Sequence, residues 1–239
     1  MLINLPESID KVFVCGDIHG NLEYIKYKVN SFDLKNAAIF LCGDIGLGFS
    51  LNWESKMLEF LRKKFKEKNV FVIAIRGNHD NPDLFQDEEL ISNWLNVKDY
   101  TVINVKGQNF LCVGGGISVD RTIRVPYKSY WPNEQVKHQP KVNQQIDVII
   151  SHTAPSFCYP ISKGDFVLNW AKQDKNLLAD IEEERQTMCK VFNDYEETLR
   201  YWYYGHFHDS QYEVIKEINF RLLNIEEFIE HGRYSNDIR

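Results

Sequence analysis

The sequence predicts an α/β fold built on a mixed sheet or on two packed sheets. Three observations predict it. The first 75 residues alternate short apolar runs with amphipathic helical stretches, later apolar runs come in hairpin-like pairs, and no repeat or linker-like segment divides the chain. Strand–helix–strand at this spacing is the βαβ pattern, which makes part of the sheet parallel.

Lys11 to Cys15 (KVFVC) is a short buried strand, and Asn21 to Ser31 a helix with Leu22, Ile25 and Val29 on one face. Ala38 to Cys42 forms the second strand. Trp53 to Lys68 is a helix with Met57, Leu58, Leu61 and Phe65 on its apolar side and lysines outside. Val70 to Ile75 is the third strand. Thr101 to Val105 and Phe110 to Val113, separated by Lys106-Gly107-Gln108-Asn109, read as a hairpin. A polar and aromatic stretch follows, from Gly114 to Gln145. Asp147 to Ile150 is another buried strand. Asn176 to Leu199 carries apolar residues near helical spacing, with Glu184 interrupting the stripe. Tyr201 to Tyr204, Tyr212 to Ile215 and Asn219 to Leu223 are strand-like.

Length and composition bound the function. The 239 residues fit one large domain, so 1–239 is read as a single domain with a variable segment at about 114–145. With 44% apolar and 26% charged residues the chain is globular, which excludes disorder and collagen-like repeats. The longest apolar run, Val70 to Ile75, is six residues, whereas a membrane helix needs about 20, so no membrane association is expected. The N-terminus lacks the pattern of a secretory signal. The five cysteines are odd in number and widely spaced, the usage of a reduced, cytoplasmic protein. A net charge of -6 argues against long nucleic acids as partners.

The chemistry lies in five polar clusters. Gly16-Asp17-Ile18-His19-Gly20, Gly43-Asp44 and Gly77-Asn78-His79-Asp80 follow the first three strands. Ser151-His152 and Gly205-His206-Phe207-His208 follow two later ones. Ligands of α/β sheets bind beyond the carboxyl ends of strands, so the five loops should converge on one edge. Asp, His and Asn supply oxygen and imidazole ligands for divalent ions, and no cysteine takes part. The seven candidate ligands in these clusters exceed what one tetrahedral ion needs, which suggests two ions sharing Asp44. Two such ions against two carboxylates and a hydroxide leave a positive site, suited to phosphate. Each element alone has a plainer reading: an Asp after a strand is often a helix cap, and a lone His often packs in a core. If Gly205 to His208 continued its strand, alternation would put both imidazoles on one face. Coincidence decides, because five of the seven histidines fall in these strand-end clusters.

In type and order the clusters resemble the calcineurin-like metallophosphoesterase superfamily, whose pattern runs D-x-H, G-D, G-N-H-[DE], a lone H and G-H-x-H. The resemblance spans residues 11 to 208 and is to bacterial or phage members rather than to standard phosphoprotein phosphatases. It implies a two-sheet β-sandwich flanked by helices. It also implies a phosphoric ester hydrolase with two divalent ions (Mn, Fe, Zn, Ni or Mg, with Mn favoured). Asp17, His19 and His208 would hold the first ion, and Asn78, His152 and His206 the second. Asp44 would bridge them. His79 would stand beside the leaving group, as general acid or as an electrostatic support. The implied reaction is in-line attack of a metal-bridging hydroxide on a phosphate monoester. A phosphodiesterase or nuclease of the same superfamily is the alternative, and a non-catalytic scaffold a further one.

The phosphatase branch reads G-D-x-x-D-R-G where this chain has Leu47 and Gly48 in place of the second Asp and the Arg. Their functions must come from elsewhere. Asp80 is a candidate partner for His79. Arg76, Arg121 and Arg124 are candidate phosphate-binding residues, since guanidinium suits bidentate contact with phosphate. Gly114-Gly115-Gly116 permits close backbone approach. Trp131 and Tyr127 are read either as a pocket wall or as core and interface aromatics.

Overall fold

The computed structural model describes residues 1–86 and 93–232. The chain runs through β1 (Leu2–Asn4), β2 (Lys11–Cys15), α1 (Leu22–Ser31), β3 (Ala37–Leu41), α2 (Leu51–Glu67), β4 (Val70–Ala74) and β5 (Trp94–Asn96). It continues through β6 (Thr101–Val105), β7 (Gln108–Val113), β8 (Val148–Ser151), α3 (Asp165–Ala171) and α4 (Leu177–Tyr195). The last strands are β9 (Tyr201–Tyr204), β10 (Gln211–Ile215), β11 (Ile218–Leu222) and β12 (Phe228–Glu230).

Two mixed sheets form. One has five strands in the order β12-β2-β3-β4-β5, with β2 to β5 parallel and β12 antiparallel to β2. The other has seven in the order β1-β6-β7-β8-β9-β11-β10, in which β7, β8 and β9 are parallel. The hairpin expected at 101–113 is there, with β6 and β7 antiparallel.

Period-two alternation explains the layering. All five residues of β3 are buried. Ala38 and Phe40 face the other sheet, where Phe40 stacks on Phe110 with ring centroids 4.6 Å apart. Ala37, Ile39 and Leu41 face α1 and α2, packing with Ile25, Leu61 and Phe65. A strand buried on both faces reads as a continuous apolar run, as this one does. The outer face of the seven-stranded sheet meets α4, where Leu111, Ile149 and Trp202 pack with Met188, Val191 and Phe192. The architecture is therefore two packed sheets flanked by helices, as the resemblance implied. Among the described residues, no helix is long and apolar enough to cross a membrane.

Four elements were not expected. β1, β5 and β12 have three residues each, too short for alternation to show. α3 has seven residues, and its mostly apolar sequence follows Gly164 with no side-chain cap. A second difference concerns the last motif. β9 stops at Tyr204, and His206 and His208 have φ of +70° and +50°. Left-handed turns, not strand alternation, therefore aim the two imidazoles.

Candidate metal centre

The parallel strands β2, β3 and β4 end side by side, and β8 and β9 end against them from the other sheet. The loops that leave these ends are bonded to one another. His19 N donates to the Asp44 carbonyl at 2.9 Å and Gly20 N to that of Ile45 at 2.8 Å, which joins the first loop to the second. Asp80 joins the second to the third. Its buried carboxylate accepts backbone N–H groups from Ile45, Gly46, Leu47 and Gly77 at 2.7–3.1 Å. This corrects the expectation that Asp80 partners His79, because both of its oxygens serve the backbone. Burial and the nearby Asp44 push its carboxyl up to about 6.

Asp17 and Asp44 are almost fully buried. Asp17 accepts the His206 N–H on both oxygens, at 3.1 and 3.2 Å, and Asp44 accepts the His79 N–H at 2.8 Å. A Cβ on Gly77 would overlap the Asp44 carboxylate, so only glycine fits there. Asp44 itself has φ +49° and His19 +42°, a concentration of unusual backbone that marks functional sites.

The candidate ligating atoms fall into two groups. Asp17, His19, Asp44 and His208 each present one atom, and all four lie within 4.8 Å of one another. In this group His208 Nε2 is 3.2 Å from Asp17 and 3.0 Å from His19 Nε2. In the second group His152 Nε2 lies 3.0 Å from Asn78 Oδ1 and 3.3 Å from Asp44 Oδ1. His206 packs on His152, with ring centroids 4.8 Å apart.

The protonation logic of the second group points to a cation. His152 Nδ1 lies 2.7 Å from the Cys42 carbonyl, so that nitrogen donates and Nε2 is left as an acceptor in the neutral ring. Asn78 Nδ2 donates to Ser118 Oγ at 3.0 Å, which leaves its Oδ1 turned to His152. Nε2 then faces two acceptor oxygens, and only a proton or a metal ion at their centre reconciles the three. Burial opposes a charge on His152, but Asp44 and Asp17 outweigh it and push the ring up to about 10. Burial alone would raise Asp44, yet the surrounding imidazoles hold it well below the usual carboxylate range. Burial and neighbouring imidazoles keep His206 well below its ordinary value, hence neutral and free to ligate. The residues therefore fit divalent ions with oxygen and imidazole preferences.

The three arginines part company. Arg76 is buried, bonded to Asp99 at 2.7 and 3.1 Å and to the carbonyls of Glu134 and Gln135 at 2.6 and 3.1 Å. Arg121 pairs with Asp174 and Asp180, both at 2.5 Å. Both are engaged in holding segments together. Arg124 instead lines a cavity of about 440 Å³ together with Asp44, Asn78, His79, His206 and His208. Its Nη2 is 2.8 Å from His79 Nε2, and its Nε is paired with Asp120 at 2.6 Å. Burial, with Arg124 and other imidazoles adding to it, lowers His79 below its ordinary value despite the opposing Asp44. Trp131 is buried edge-on against Phe49, and Tyr127 is 76% exposed, so neither walls the cavity.

Two residues that support the site escaped the sequence reading. Ser118 N and Oγ both bond to Glu134, each at 2.7 Å, and Ser118 Oγ accepts from Asn78. Asn78 is thus oriented by the 114–136 segment. Burial pushes the Glu134 carboxyl up to about 8. Gly116 lets that segment approach, since a Cβ there would press on His152. The triple glycine pointed to the close approach, but nothing in a single Ser or Glu announced its partner.

The two-sheet fold brings an Asp–His–Asn cluster that could hold metal ions to converging strand ends. A calcineurin-like phosphoesterase family model matches residues 10–210, and the chain belongs to that family. Among solved structures, an archaeal phosphodiesterase is similar over 92% of this chain and 98% of its own, at 15% identity and a TM-score of 0.40. A serine/threonine phosphatase from Saccharomyces cerevisiae, described as similar to human phosphatase PP5, covers 94% of this chain and 70% of its own, at 12% identity and a TM-score of 0.39. No curated protein matches the chain.

Proposed function

We propose that this chain is a metal-dependent phosphoric ester hydrolase that acts on phosphate monoesters with two divalent ions, manganese first among them. The observation that carries the reading is the approach of Asp17, His19, Asp44 and His208 to within 4.8 Å, beside a cavity that Arg124 also lines. Asp17, His19 and His208 would hold one ion, Asn78, His152 and His206 the other, and Asp44 both. When bound, such a pair supplies a water-derived nucleophile at neutral pH and offsets charge on the phosphoryl oxygens.

The chain's own residues do the rest. Arg124, fixed by Asp120, presents a guanidinium to the phosphoryl group and takes the place of the arginine missing at Gly48. His79 lies against it, and its lowered pKa favours a neutral hydrogen-bond donor to the developing charge over a protonated acid. An incoming phosphate dianion would draw Arg124 off His79 and raise its pKa again, which keeps proton delivery to the leaving oxygen open.

The test compares p-nitrophenyl phosphate with bis-p-nitrophenyl phosphate on manganese-loaded protein, with and without chelator. Chelator-sensitive turnover that favours the monoester is the expected result. Preference for the diester would replace the substrate class and keep the metal centre. Turnover indifferent to chelator would refute the metal-dependent reading.

A further inference from the structure

The cavity beside the candidate metal centre, about 440 Å³, is larger than a phosphate needs. Besides the candidate ligands it is lined by apolar and polar side chains, the apolar ones including Ile117, Val119, Ile161, Phe166, Val167 and Phe207. Ile161 and Phe166 are 77% and 66% exposed, large apolar side chains left open at its rim. Exposed apolar surface that is continuous with a polar site marks a ligand-binding wall.

The wall is built rather than accidental. Ile161, Phe166 and Val167 come from the stretch between β8 and α4, which includes α3, and Arg185 of α4 pins that stretch. Its guanidinium donates to the carbonyls of Pro155 and Cys158, both at 2.7 Å, and to that of Pro160 at 3.3 Å. It also stacks over Phe207, 5.0 Å from the ring centroid. The pinning explains why an arginine sits buried in the α4 stripe.

Charge along this wall argues against a second phosphate. Among the described residues that line the cavity, the lysines and arginines besides Arg124 are Lys163 and Arg185. Lys163 is paired with Glu182 at 3.4 Å, and Arg185 is engaged by the three carbonyls. Glu182, the partner of Lys163, and Glu184, whose carboxyl burial pushes up to about 7, line the same wall, so among the described residues no cation there is left unengaged for a second phosphate.

We infer that the group esterified to the substrate's phosphate is an uncharged apolar or aromatic moiety, held against Phe166, Ile161 and Phe207. The inference rests on the phosphoesterase reading and names its substrate class.

The test is binding of two phosphonates that cannot be hydrolysed, 3-phenylpropylphosphonate and methylphosphonate, measured by calorimetry on the manganese-loaded protein. The aromatic compound should bind about tenfold tighter or more, the scale that apolar pockets give for small hydrocarbon differences. Phe166→Ala and Ile161→Ser, both at exposed positions, should each cut that advantage severalfold. Equal affinity for the two phosphonates, or an advantage that survives both substitutions, would overturn the inference. Turnover of p-nitrophenyl phosphate, followed in parallel, reads the catalytic proposal separately. Its absence alongside a retained phosphonate preference would sink the catalytic proposal and support the apolar wall.

Discussion

Two buried carboxylates, Asp80 and Glu134, brace the candidate metal cluster, and they do so differently. Asp80 gathers four backbone N–H groups and locks two motif loops together. Glu134 holds a single residue, Ser118, by its N–H and its Oγ, and that hydroxyl in turn orients the Asn78 side chain. Backbone bracing makes the first side rigid whatever occupies the site. Side-chain bracing makes the second side adjustable, and places one ligand under the control of a segment outside the motifs.

Substitutions can break or sharpen that contrast. The largest effect belongs to Asp44, the ligand both groups are proposed to share. Asp44→Asn keeps an oxygen for the His79 N–H, so the fold should survive, while activity falls by more than the roughly 100-fold that loss of an outer-shell partner costs. Steady-state kinetics beside circular dichroism would check it, and wild-type turnover would remove the bridging role. Next comes Asp80→Asn. One amide oxygen cannot serve four donors, and its NH2 would face the Ile45 and Gly77 amides. Two orphaned buried donors predict a loss of about 2–5 kcal/mol in denaturant unfolding. A change below 1 kcal/mol would mean that the backbone bracing is not real.

On the other side, Ser118→Ala removes the partner of the buried Asn78 amide and of one Glu134 oxygen, so it should cost about 1–3 kcal/mol in unfolding and weaken one ion about 10–100-fold, since Asn78 loses its orienting partner. Metal titration should then resolve one tight and one weak site. Two sites weakened equally would contradict the division into groups.

The last effect is a pH slope. Glu134 is raised from 4.5 to about 8 by burial, so the folded chain keeps a proton that the unfolded chain releases. Its contribution is complete below pH 4.5 and is lost as pH rises towards 8, giving a decline of a few kcal/mol over that window. Glu134→Gln carries no proton to lose and should flatten the decline, measured by urea unfolding in chelator. An unaltered slope would mean that Glu134 titrates normally.

The same contrast explains how much the sequence disclosed. β2, β3, β4, β8 and β9 were legible within one or two residues, because buried parallel strands are unbroken apolar runs. The loops that follow them were legible because chemistry restricts each position to Asp, His, Asn or Gly. The seven proposed ligands do come together, although His206 and His208 arrive through left-handed turns that no alternation rule foresees. What stayed hidden depends on long-range partners. Arg76 was a phosphate candidate by type alone, and only Asp99, 23 positions away, reveals its engagement. Glu184 read as a break in the α4 stripe because the cavity it faces is not local. Ile161 and Phe166 had no pattern to betray them, as apolar residues in a loop look the same whether they fill a core or line a cavity.

The most direct test of the account is a manganese titration of the wild-type chain and Asp44→Asn side by side, read by calorimetry. Shared ligation through Asp44 predicts two ions per wild-type chain and a loss of affinity at both sites in the variant. Two undisturbed sites in the variant, or none in the wild type, would contradict it.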